Sequence, residues 1–219
     1  MKKVYGVILI LGMLWCAGSE VFAVETGIDG TLGTSYATDP AKFGMDLSLQ
    51  YNWLLDPFFV MGFESGLYWV QWSRKVGEDE VTPALSGDLK ADTNAFYIPI
   101  MIDAQVRLPN LRKKLVIAPY ITIGIGYPVM ITHFSQPAYT DETLEDHPEE
   151  NKTKFFSGFA WQLVAGAGYK PSDQSKVEFL GEFGYRNAQL KNEDNIEIDM
   201  SGFMIRIGVR YPFGGSSAQ

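Results

Sequence analysis

The chain has 219 residues, a formal net charge of −8 and 14% aromatic residues. An acidic balance opposes nucleic acid as a partner. The single cysteine, Cys16, excludes a disulfide-stapled fold.

Lys2 and Lys3 precede an apolar run from Val4 to Trp15, and Val21-Phe22-Ala23 offers a small-residue cleavage site. This is the layout of a secretion signal over residues 1–23, leaving 24–219 as one domain. Acylation at Cys16 is the rival reading, and bulky Trp15 in front of it opposes that.

Beyond this point the chain alternates. The clearest stretch is Phe43 to Trp53, with Phe43, Met45, Leu47, Leu49, Tyr51 and Trp53 on one face and Gly44, Asp46, Ser48, Gln50 and Asn52 on the other. Side chains along a strand alternate faces, so a period of two marks a strand with one apolar and one polar side. Eight such segments follow one another: Thr26–Tyr36, Phe43–Trp53, Phe58–Trp72, Asn94–Leu108, Leu115–Val129, Phe156–Lys170, Lys176–Arg186 and Gly202–Phe213. The run Leu115 to Thr132 carries no charge and is long enough for a membrane helix. It also holds Pro119, Pro128, Gly124, Gly126 and a period-two series of isoleucines, which favour a strand.

Connections alternate in length. Leu54–Pro57, Pro109–Lys114 and Pro171–Ser175 are short, whereas Ser73–Thr93, Met130–Phe155 and Asn187–Ser201 are long and polar; Ala37–Lys42 is brief. The expected fold is all-β, an eight-stranded antiparallel up-and-down transmembrane barrel with apolar groups on lipid and both termini in the periplasm. Aromatic groups near strand ends (Tyr36, Trp53, Trp69, Tyr127, Tyr169 and Tyr211) suit the two membrane interfaces. A soluble lipocalin-type barrel would turn the apolar face inward. The opposite face is then too rich in glycine for a water-facing surface, and suits a narrow bore instead.

Strand four, Tyr97-Ile98-Pro99-Ile100-Met101-Ile102, and the ending Gly202 to Phe213 resemble the small outer-membrane β-barrel families of the OmpX, OmpA-barrel and OmpW types. The resemblance implies outer-membrane lipid as surroundings and the barrel-assembly machinery as a partner during biogenesis. Members often end on the aromatic residue that this machinery reads; here six residues follow Phe213. OmpW-type members imply a path for small hydrophobic solutes.

The inward face carries Asp46, Glu64, Asp103, Glu178 and Glu182 with Arg107, Arg186, Arg206 and Arg210. Buried charges persist when paired and hydrogen-bonded, and Glu182 and Arg206 are expected to meet across neighbouring strands. The network reads as a filling of the lumen, with a gate for ions or solutes as its functional alternative. The acidic loop (Asp141, Glu142, Glu145, Asp146, Glu149 and Glu150, with His133 and His147) lacks cation-loop spacing and reads as solvated. His133-Phe134-Ser135 is a His-x-Ser triplet of the kind found in outer-membrane lipid A deacylases, but its flanks differ. The expectation is a non-enzymatic, surface-exposed outer-membrane protein without metal or cofactor, whose long loops meet an extracellular ligand or host. The OmpW-like channel is the alternative, and a deacylase-like enzyme ranks below it.

Overall fold

A computed structural model describes residues 25–75, 90–108, 111, 116–140, 146–172 and 174–213. Outside these lie the proposed signal over 1–23 with Cys16, the interior of the first long loop, most of the Pro109–Lys114 turn, Asp141, Glu142 and Glu145 of the acidic loop, and the six residues that follow Phe213.

Eight antiparallel strands form the wall. They are β1 (Glu25–Ala37), β2 (Lys42–Leu54), β3 (Phe59–Lys75), β4 (Lys90–Ile98, resuming as Ile100–Arg107), β5 (Ile117–Gly126, resuming as Val129–Gln136), β6 (Glu150–Ser157, resuming as Ala160–Tyr169), β7 (Glu178–Lys191) and β8 (Gly202–Phe213). Each pairs with its neighbour in sequence, and β8 pairs with β1 to close the ring. Among the described residues no helix is long and apolar enough to span a membrane. The uncharged run around Pro119 is strand, as its even spacing of isoleucines requires.

Paired residues can be followed once around the wall: Glu25, Leu54, Val60, Gln105, Thr122, Val164, Gly184 and Met204. The path returns to Ser35, ten residues further along the strand where it began. Eight strands with a stagger of ten tilt by about 43° and enclose a bore of about 8 Å radius to the backbone. At that tilt the ten steps from Trp53 to Phe43 rise about 25 Å along the axis, the height of an apolar outer-membrane band.

Pro99 and Pro128 interrupt β4 and β5. They fall opposite one another in a register that runs unchanged from Ile98↔Val129 to Met101↔Gly126. Proline has no N–H to give the ladder, so regular pairing lapses there without a bulge.

Facing follows the sequence reading. Ile28, Leu47, Leu49, Ile102, Ile123, Leu163, Phe183 and Ile207 are exposed on the outer wall, and their neighbours in sequence are buried or half-buried inside it. Several strand ends at the long-loop side do not follow it. The segments expected as long loops begin with further strand: β3 runs to Lys75, β4 starts at Lys90, β5 continues to Gln136, β6 starts at Glu150 and β7 reaches Lys191. Tyr139–Thr140 and Asp146–His147 add a small hairpin, and Glu197–Asp199 pairs back on β7. The cause is an inversion of facing. In these extensions, beyond outward Ile131 and Phe155, the outward groups become polar (Gln71, Asn94, His133, Thr153, Gln189), while Val70, Ala95, Met130, Phe156 and Leu190 are buried inside. The period of two persists with the opposite sign. This is the pattern of a barrel wall that has left lipid for water.

Candidate functional site

The bore is filled by side chains in two zones. From the end bearing the short turns to about mid-height it is ionic. Toward the end bearing the long loops it is apolar.

In the ionic zone three arginines climb the bore. Arg210 of β8 lies opposite Asp29 of β1 and Glu178 of β7 in the strand register. It donates Nε and Nη2 to the two Asp29 oxygens at 2.8 and 2.7 Å, and Nη1 to Glu178 at 3.2 Å. Its guanidinium also lies over the Tyr120 ring, 5.1 Å from the centroid. Two pleat repeats higher on the same strand, Arg206 donates Nε to Glu182 at 2.9 Å and Nη1 to Glu64 at 2.7 Å. Glu182 also accepts from the Tyr120 hydroxyl at 2.8 Å, and Glu64 from the Gln162 amide at 2.8 Å. Above them Arg186 of β7 reaches Asp46 at 3.5 Å and is held between the rings of Tyr68 and Tyr97, at 5.2 and 4.5 Å from their centroids. Asp46 accepts from Ser35 at 2.5 Å.

All of these charged groups are buried. An ion that deep persists where opposite charge and hydrogen bonds replace its water. Arg210 and Arg206 meet that demand with two carboxylates each. Asp103 and Arg107 have neutral partners instead. The Asp103 oxygens accept from the amides of Gln50 and Gln162 at 3.2 and 3.1 Å, and Arg107 donates Nε to Gln105 at 2.6 Å.

Glycine makes room for these groups. A Cβ on Gly166 would collide with the Tyr120 ring, and one on Gly124 with the Asp103 carboxylate. The bore is so narrow that a bulky group on one strand requires an absent one opposite.

The apolar zone is formed by Tyr68, Val70, Tyr97, Met130, Phe156, Leu190 and Met200, with Ala37, Ala95, Ala160 and Ala188 between them. Trp72 and Ile198 pack against it. This plug, and the parts played by Asp29, Tyr120, Gln50, Gln105 and Gln162, are absent from the sequence reading. Asp29 was accessible in principle, because pairing the first strand with the last puts it beside Arg210. The plug's signal was the inverted alternation near the long connections.

His133 and Ser135 lie on the extension of β5. His133 Nδ1 is 3.2 Å from Thr153 Oγ1, and Asp92, opposite Ser135 in the register, accepts from Ser73 at 2.6 Å. Among the described residues no cluster of three or more His, Cys, Asp or Glu has the geometry to hold a metal ion.

Three solved structures illustrate what this chain is similar to. Neisserial surface protein A is 11% identical, with 88% of this chain and 98% of that chain covered at a TM-score of 0.48. Ail, the attachment invasion locus protein of Yersinia pestis, is 13% identical over 87% and 97% at 0.44. The outer membrane protein W of E. coli is 13% identical over 87% and 98% at 0.40. No curated protein sequence matches the chain. Residues 8–216 match the profile described as outer membrane protein beta-barrel domain. A closed antiparallel barrel, oily outside and ionic within, thus coincides with a family match over nearly all of the sequence, and the chain belongs to the outer-membrane β-barrel domain family of the bacterial outer membrane.

Proposed function

We propose that the protein is a non-enzymatic, axially sealed surface barrel that presents its long-loop end to the cell exterior and keeps its termini in the periplasm. Lipid surrounds its wall, and the barrel-assembly machinery inserts it. The carrying observation is the filled bore: a stack of paired charges followed by an apolar plug occupies the axis from one end to the other. Such a barrel acts through its surface. The extensions of β3 to β6 stand beyond the apolar band, with polar groups outward, and support contact with an extracellular ligand or host.

Two measurements test this. In planar bilayers the folded protein is expected to show no discrete ion-conducting steps; steady single-channel currents would overturn the sealed bore. Protease added to intact cells is expected to cut near Lys152 or Lys191, both exposed at the long-loop end. Cleavage only after the outer membrane is opened would reverse the orientation. The non-enzymatic part is supported by His133 meeting Thr153. His133→Ala should leave the number of lipid A acyl chains unchanged.

A second reading is an OmpW-like lateral path for small hydrophobic solutes. The facing prolines Pro99 and Pro128 favour it, because they weaken the wall near the level where ionic filling gives way to plug. Flux of a hydrophobic solute into liposomes above that of empty vesicles would support it, and flux equal to theirs would remove it.

A further inference from the structure

The outer wall is not uniformly studded. Near the long-loop end Thr34 is a small outward position among large neighbours. Thr34 of β1 lies between Ile205 of β8 and Met45 of β2, and that row continues to Trp69 and Phe96. The next row toward the loops holds Tyr36, Phe43, Gln71 and Asn94. The notch at Thr34 opens a groove of about 430 Å³ bounded by Thr34, Phe43, Met45, Trp69 and Gln71.

Its surfaces are fixed by contacts that do not involve an occupant. The Thr34 hydroxyl donates to the Gly44 carbonyl at 2.9 Å, which satisfies its polar atom and leaves its methyl for the groove. Trp69 stacks on Phe96 with planes 8° apart and gives its indole N–H to Asn94. Phe43, 70% exposed, is braced edge-on by Tyr36 at 5.1 Å. The side walls are therefore aromatics braced by their neighbours, and between them lie Thr34, Met45 and the backbone of Gly33 and Gly44. The one amide, Gln71, stands at the upper mouth, where outward groups turn from apolar to polar.

We propose that this groove seats one acyl chain of a multiply acylated glycolipid of the outer leaflet, with Gln71 donating to the ester or amide carbonyl at the head of that chain. The groove is continuous with the lipid-facing band, so hydrocarbon is what it meets in the membrane. A shallow groove between braced aromatics favours a straight saturated chain over a kinked one, because neither partner has to reorganise. Assignment to the glycolipid leaflet rests on the orientation proposed above; the slot itself does not.

The test is native mass spectrometry of the full barrel, released from detergent after equilibration with equal amounts of lipid A and phosphatidylethanolamine. Wild type is expected to retain one lipid A, and Thr34→Phe, which fills the notch from a lipid-facing position, should lower that adduct at least tenfold. Ala165→Phe, an equivalent change on exposed Ala165 of β6, should leave it intact. A heat-modifiability gel confirms that all three are folded. Equal adducts in the two variants, or none in wild type, would overturn the groove. A phosphatidylethanolamine adduct that Thr34→Phe abolishes would overturn the glycolipid assignment, and protease sidedness on cells would then say whether the orientation is the cause.

Discussion

Arg206 is the point at which the ionic filling is most exposed to a single change. It joins Glu182 and Glu64, on two different strands, through bonds of 2.9 and 2.7 Å, and Asp46 lies 3.9 Å away. Replacement by methionine keeps much of the volume and removes the cation. Glu182 retains the Tyr120 hydroxyl and Glu64 retains the Gln162 amide, but two buried carboxylates lose their counter-charge. Breaking a buried pair from one side costs about 3–5 kcal/mol. For a urea slope of about 2 kcal/mol per molar, the unfolding midpoint should fall by about 2 M. The assay is urea unfolding of the vesicle-folded barrel, followed by tryptophan fluorescence and by the gel shift on heating. The triple change Arg206→Met, Glu64→Gln, Glu182→Gln removes the orphaned charges as well, and should recover most of the loss. Lys191→Met, at an exposed pair with Glu197, should stay within about 1 kcal/mol of wild type. An Arg206→Met midpoint within 0.3 M of wild type, or a triple variant no better than the single, would refute the view that these charges depend on one another.

Gly166→Ala should cost about 1–3 kcal/mol by overpacking, because the new methyl meets the Tyr120 ring and drives its hydroxyl from Glu182; the same urea titration reads it. Ile123→Lys, mid-wall on the lipid face, should cost about 2–4 kcal/mol, whereas Phe59→Lys near the turn end should cost about 1 kcal/mol or less; equal costs would contradict the placement of the band. Met130→Ala in the plug should lose about 2–5 kcal/mol, yet bilayer recordings should stay silent, since the ionic stack below still closes the axis.

The parts of this fold that were legible in sequence are those where one face touches lipid. Phe43 to Trp53 alternates without a fault, and β2 is strand throughout that stretch. At Gly202 to Phe213 the expected and observed bounds coincide. β3 beyond Trp72, β5 beyond Val129 and β7 beyond Arg186 were not legible, for a single reason. Apolar groups pointing outward mark a strand in lipid, and at Gln71, His133 and Gln189 that sign reverses while the backbone ladder continues. The period of two also puts Tyr68, Tyr97 and Met101 on the inner face, where they are buried. What sequence spacing alone did not reveal is that they join Met130, Phe156, Leu190 and Met200 in one cluster, because that requires the stagger of ten residues around the ring.

That stagger also explains why the bore is ionic where leucine would fill the space at less risk. A wall apolar on both faces has no means of telling its lipid side from its inner side, nor one register from the next. Glu182 lies directly opposite Arg206, Glu178 opposite Arg210, and Asp29 opposite Arg210 on the closing seam. A slip of one residue between β7 and β8 would turn one strand's charges into hydrocarbon. A slip of two would keep them inside but set Glu182 against Met204 or Gly208, and the same slip between β1 and β8 would set Asp29 against Gly208 or Pro212. Each error strands a buried ion at a cost of about 3–5 kcal/mol, and the two seams that meet at β8 are where the ring must close. The charges thus specify the closure, while the plug supplies packing toward the long-loop end.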